Sequence, residues 1–135
     1  MKGFLAVATL TFVACGGTGS TTSSAAASMP AGVIRFGTTD PGKDCNHDPW
    51  VTTFPPGSDI YWWAAFRDPL PGGSEIVVEE SLKGDVFGTK RLTIPSGGAD
   101  CMTQRDPVSG IIEGTYTVRL LFGGTVEAEG SATVQ

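Results

Sequence analysis

Asp40, Asp44, Asn46 and Asp48 crowd four side-chain oxygen donors into one short stretch that also holds Gly42. Carboxylate and amide oxygens are the ligands that calcium takes, so a loop wrapping an ion at extracellular affinity is one reading. The spacing does not match an EF-hand loop, and a solvated acidic loop pinned by Cys45 is the preferred reading. His47 lies in the same stretch and is the only histidine in the chain. A Ser-His-Asp or Cys-His system would have to use it, and no Gly-x-Ser-x-Gly nucleophile elbow occurs. A catalytic zinc would lack its three protein ligands from His, Glu or Cys. These residues point away from an enzyme and call for no cofactor.

Aromatic residues offer a different chemistry. The stretch Asp59–Arg67 places Ile60, Trp62, Ala64 and Phe66 on one face and Tyr61 and Trp63 on the other, because successive strand residues point to opposite sides of the pleat. Trp62 therefore belongs to the core. Tyr61 and Trp63 are expected to form an outward aromatic pair, able to stack on a sugar ring or anchor a protein partner. Cover by the Pro-rich turns or by the long segment from Gly97 to Gly114 is the competing reading.

The chain has three cysteines. Lys2 and the uncharged run Phe4–Ala14 read as a signal peptide, since the run is too short to span a bilayer, which takes about 20 residues. It closes in Phe12-Val13-Ala14-Cys15, which resembles the lipobox of bacterial lipoproteins, with Phe12 where leucine is usual. The resemblance implies cleavage before Cys15 and a diacylated Cys15 at the mature N-terminus. An ordinary secretory signal would need a small-x-small cleavage site close behind the run, and Ala25–Ala27 lies too far along. Gly16–Ser28 is nearly all Gly, Ser, Thr and Ala, the composition of a flexible tether. Several acyl chains at ~0.8 kcal/mol per buried methylene would make the anchorage permanent. Gly16 after the cysteine, by resemblance to sorted lipoproteins, favours the outer membrane of a two-membrane cell. Export leaves Cys45 and Cys101 as a pair expected to oxidise to a disulfide.

These groups have to be positioned by strands. The chain carries 19 glycines and 9 prolines between short alternating runs, the mark of many turns. Tyr116, Val118, Leu120 and Phe122 alternate with mostly polar residues, and Val126, Ala128, Gly130, Ala132 and Val134 with polar ones, which predicts a hairpin. Pointing Phe122 and Val126 both inward predicts that they pair across a three-residue Gly123-Gly124-Thr125 loop, with Arg119 opposite Glu129 and Thr117 opposite Ser131. Further strands are expected at Val33–Gly37, Asp59–Arg67, Glu75–Leu82, Arg91–Ile94 and Asp100–Gln104. Glu80 interrupts the apolar row of Ile76, Val78 and Leu82. Running seven antiparallel strands alternately brings the loop after the first and the end of the fifth to one end of the molecule, where Cys45 would meet Cys101.

This order, with Asp59–Phe66 early and Gly114–Val118 then Gly124–Val126 closing, resembles the immunoglobulin-like or fibronectin type III-like domains of bacterial surface lipoproteins over roughly residues 31–135. The resemblance implies an antiparallel β-sandwich of about seven strands, and Tyr116 matches the position of the tyrosine corner, with a plain core tyrosine as the alternative. The expected organisation is a signal peptide over 1–14, a lipidated cysteine and tether over 15–30, and one β-sandwich over 31–135. A net charge of -5 without clustered Lys or Arg excludes nucleic acid as a partner. The expected function is a lipid-anchored, non-enzymatic binding module of the cell envelope, facing the periplasm or the exterior. A structural or accessory subunit of an envelope complex is the alternative, and carbohydrate binding through Tyr61 and Trp63 is a third.

Overall fold

The computed structural model describes residues 29–135. The apolar run, Cys15 and all but the last two residues of the expected tether lie outside the described residues. Eight strands follow in order: β1 (Ile34–Gly37), β2 (Thr53–Phe54), β3 (Ile60–Leu70), β4 (Glu75–Leu82), β5 (Asp85–Thr93), β6 (Ala99–Val108), β7 (Gly114–Phe122) and β8 (Thr125–Val134). They make two sheets, β1-β3-β6 and β2-β8-β7-β4-β5, packed face to face. Every strand pair is antiparallel except β2 with β8. This is the expected all-β sandwich, with eight strands rather than about seven. The added strand is β2, too short for periodicity to mark, whose Phe54 is completely buried.

The β7–β8 hairpin pairs Arg119 with Glu129 and Thr117 with Ser131 as expected, but its turn differs. Leu121 pairs with Val126 and Phe122 with Thr125, leaving a two-residue Gly123-Gly124 turn. Both glycines have positive φ, 57° and 82°, the backbone that a tight hairpin turn demands. The expectation failed because it assumed an unbroken ladder. A bulge inserts Glu127 between the Leu120–Ala128 and Leu121–Val126 pairs, which resets the side-chain parity by one residue. Glu127 is nearly buried, and its carboxylate accepts from the Asp68 backbone N–H at 3.4 Å.

Strand β3 also runs further than its alternation suggests, through Asp68-Pro69 to a buried Leu70 paired with Ala99. Proline has no N–H for a ladder, and the register break between Ala65 and Leu70 accommodates it. β5 covers Asp85–Thr93 rather than only its last residues. As an edge strand with Gly88 and Lys90 on its inward row, it lacks the apolar alternation that would have announced it.

Between the sheets, Trp62, Phe36, Phe54, Ile60, Ile76 and Leu120 are fully buried or nearly so. Gly130 lets the sheets close at one side, since a β-carbon there would run into the Ile34 carbonyl. At the opposite side the edges β5 and β6 are joined by a side-chain bond, Lys90 Nζ donating to Gln104 Oε1 at 3.1 Å. Glu80 interrupts its apolar row for a reason now visible. Its carboxylate accepts from the hydroxyl of the buried Tyr116 at 2.7 Å. A buried phenol needs a hydrogen-bond partner, and the neighbouring strand supplies one, so Tyr116 is a core tyrosine bonded to a side chain rather than to the backbone bond that defines a tyrosine corner.

Candidate functional site

The outer face of β3 was the sequence's candidate site, and the fold changes what it offers. After β1, the segment 38–50 turns back over the outside of the three-stranded sheet as an irregular strap. It first tracks β6 in reverse: Asp40 meets Arg105 at 3.4 Å, the Thr103 hydroxyl donates to the Gly42 carbonyl at 2.5 Å, and Cys45 is joined to Cys101. It then crosses back over β3, with His47 packed edge-on to Trp63 at 5.2 Å between centroids. Val51 finally bonds to the Phe36 carbonyl at 2.8 Å and leads into β2.

Trp63 is consequently 0% exposed, and Tyr61 is half-buried. The exposed Tyr61–Trp63 pair expected from the pleat does not exist. The side chains do point outward, but the strap lies on them. The cover comes from the loop holding Cys45, not from the Pro-rich turns or the 97–114 segment. The Trp63 ring reaches across β1 to Gly37, where an added β-carbon would sit 2.8 Å from its Cη2, so any larger residue there would push the ring or the strap aside. Among the described residues, the Trp63 Nε1–H has no hydrogen-bond partner.

The disulfide forms as expected, with a Cα–Cα separation of 6.1 Å. Its route differs from the simple up-and-down count. Cys101 is the third residue of β6, level with Ala65, so the strap must fold back along the sheet to reach it.

Among the described residues no group of three or more acidic, histidine or cysteine side chains is gathered as a metal site, and Asp40 and Asp44 make other contacts. The Asp40 and Asp44 carboxylates hold the strap. Asp40 accepts from the Gly42 N–H at 2.7 Å and Asp44 from the Asn46 N–H at 2.9 Å, each closing a turn two residues on. The Gly42 N–H, and then Arg105, hold the Asp40 carboxyl below the ordinary carboxylate range. His47 shares a 2.8 Å hydrogen bond with Thr39, so the only imidazole serves the strap's own fold.

Two exposed features were missed from the sequence. Trp50, at the strap's end, is 43% exposed with the Arg35 guanidinium 4.4 Å from its ring centroid, a cation–π pair. The other is a groove of about 420 Å³ bounded by Leu82, Phe87, Val108, Ile111 and Ile112 and flanked by the Lys83–Glu113 ion pair at 3.1 Å. Phe87 is 52% and Ile112 64% exposed. The groove sits where β4 ends, β5 begins and β6 passes to β7, which the pairings place at the end of the sandwich opposite the start of β1. Phe87 was invisible as a candidate because the bulge between Glu80 and Ser81 is what turns it toward Tyr116, 6.1 Å away.

No protein-family model matches the chain, and no curated protein sequence matches it.

Proposed function

We propose that the protein is a lipid-anchored, non-enzymatic interaction module of the bacterial cell envelope, tethered through Cys15 and offering the groove around Phe87 and Ile112 to a partner protein. The observation that carries the reading is the position of that groove. The tether would join at the start of β1, the end away from the groove, so Phe87 and Ile112 are left clear of the attachment point. Contiguous exposed apolar surface on a small domain is the usual mark of an interaction site. The lipobox-like Phe12–Cys15, the Gly/Ser/Thr/Ala tether and the oxidised Cys45–Cys101 pair support an exported, anchored chain. The buried Trp63 takes support away from sugar stacking at Tyr61 and Trp63.

Two measurements test the reading separately. Intact mass of detergent-extracted protein should show loss of Met1–Ala14 and gain of diacylglycerol, and Cys15→Ser should release the chain from membranes. A mature N-terminus beyond Ser20 overturns the anchor. A photo-crosslinking residue at Ile112 should give a discrete protein adduct in cells, whereas one at Thr125, at the opposite end, should not. Equal labelling from both ends, or none, overturns the groove as the interaction surface.

A further inference from the structure

We propose that the strap over residues 38–50 is a redox-releasable cover, and that reduction of Cys45–Cys101 uncovers Trp63 while the sandwich beneath stays folded.

The strap contributes no strand to either sheet. Its hold on β6 consists of the disulfide, the Thr103–Gly42 hydrogen bond and the exposed Arg105–Asp40 pair. An exposed ion pair holds little, so the covalent bond is the main fastening to β6, beside the packing of His47 on Trp63 and of Trp50 on Arg35. The interior does not depend on the strap: the buried cluster between the sheets runs from Ile34 to Val134 without including Trp63, Cys45 or His47.

What lies beneath has binding chemistry. Trp63 presents a large indole whose N–H, like that of Trp62 in the core, has no partner among the described residues, but it alone lies under a cover that can open. Arg35 and Thr103 are its direct neighbours in register on β1 and β6. A rigid ring with a free donor, beside a guanidinium and a hydroxyl, is costly to keep buried and would be able to stack on and hydrogen-bond a ligand once uncovered. Trp62, by contrast, faces the interior and is not reached by opening the strap.

The release step is thiol–disulfide exchange with a dithiol. One thiolate of the dithiol attacks a sulfur of the Cys45–Cys101 bond and expels the other cysteine as a thiolate. The dithiol's second thiolate then closes its own disulfide and frees the remaining cysteine. Two electrons and two protons pass to Cys45 and Cys101, and the dithiol leaves oxidised. Exported compartments hold dithiol proteins of this chemical class, and the inference does not rest on the groove proposed above.

The test uses the full chain, oxidised and after treatment with dithiothreitol. Hydrogen exchange read by mass spectrometry should show the 38–50 segment losing its protection entirely on reduction, while β4, β7 and β8 remain strongly protected, lowered only by the drop in global stability. Acrylamide quenching of tryptophan fluorescence should rise several-fold in the wild type, and the rise should be absent in Trp63→Phe. The Cys45→Ser, Cys101→Ser double variant should behave as the reduced chain without any reductant. Protection of the strap that survives reduction would show that the disulfide is not its fastening. Complete loss of protection in β4, β7 and β8 together with the strap would show that the bond holds the whole domain. A quenching rise that persists in Trp63→Phe would assign it to another tryptophan. Each of these three results overturns the proposal.

Discussion

Trp62 and Trp63 are adjacent in the chain and equally buried, yet they are buried by different means. Trp62 is enclosed by two sheets, among Phe36, Ile60 and other side chains delivered by paired strands. Trp63 is enclosed by one sheet and by an irregular strap tied down at Cys45. The inner cavity is walled by backbone ladders whose breaking is the unfolding of the domain. The outer one is walled by a segment that can leave with the sheets intact. Equal exposure therefore does not imply equal energetics. The difference lies in how far the surroundings can relax when a side chain or a tie is removed.

The largest effect should come from Trp62→Ala. A large cavity between two sheets cannot collapse, and the cost should be about 3–5 kcal/mol in chemical denaturation. Trp63→Ala should cost less, about 2–3 kcal/mol, because the strap can settle into the space. Equal losses would show that the strap is as rigid as the core and would erase the contrast. Removing the disulfide should follow. The 56-residue separation corresponds to about 4 kcal/mol in the chain-entropy model, and the measured loss should be about 3 kcal/mol if the reduced strap keeps some structure.

Gly37→Ala sharpens the comparison from the strap side. Its β-carbon would meet the far edge of Trp63 and the Pro49 carbonyl, so the ring or the strap must shift. The expected cost is about 1–2 kcal/mol, and it should shrink in the Cys45→Ser, Cys101→Ser background, where the strap is free to yield. An unchanged cost in that background would mean that the strap is not what confines the ring.

The smallest effects are those of pH, and they differ in sign between the two faces. On the inner face, burial and then the Glu80 carboxylate raise the Tyr116 phenol far above its ordinary value of 10.0. The folded chain keeps this proton where the unfolded chain gives it up, so stability should fall as pH rises above about 10. Tyr116→Phe should remove that alkaline slope. On the outer face the Asp40 carboxyl is lowered, so its contribution is present above the ordinary carboxylate range and is lost as pH falls below it. Denaturation midpoints from pH 3 to 11 check both signs, and an alkaline slope that survives Tyr116→Phe would remove the assignment to the inner face.

The legible parts of the fold were those governed by local alternation. Tyr116, Val118 and Leu120, and Ile76 and Val78, face the core as the pleat requires. The pairing of Arg119 with Glu129 followed from matching the apolar faces of two strands. The less legible parts were those where one residue breaks the count. The bulge at Glu127 shortened the turn, and the one at Glu80/Ser81 interrupts the pairing around Phe87, which lies 6.1 Å from Tyr116 while staying exposed. Neither has a local signal, because a bulge is selected by the twist and packing of the whole sheet. β5 and β2 were obscure because an edge strand and a two-residue strand carry too little apolar pattern to read.

For the candidate site the division is sharper. The sequence by itself determined that Trp63 points away from Trp62, since period two is a property of the extended backbone, and that Cys45 and Cys101 were available to each other. It also carries the acidic residues that close the strap's turns. Only the tertiary structure decided what covers that outward face. Whether a side chain pointing outward meets water or protein depends on the path of a segment with no periodicity, and here that path is set by a bond between residues 56 positions apart, by the hydrogen bond from Thr103, and by the room that Gly37 leaves beneath the strap for an indole ring.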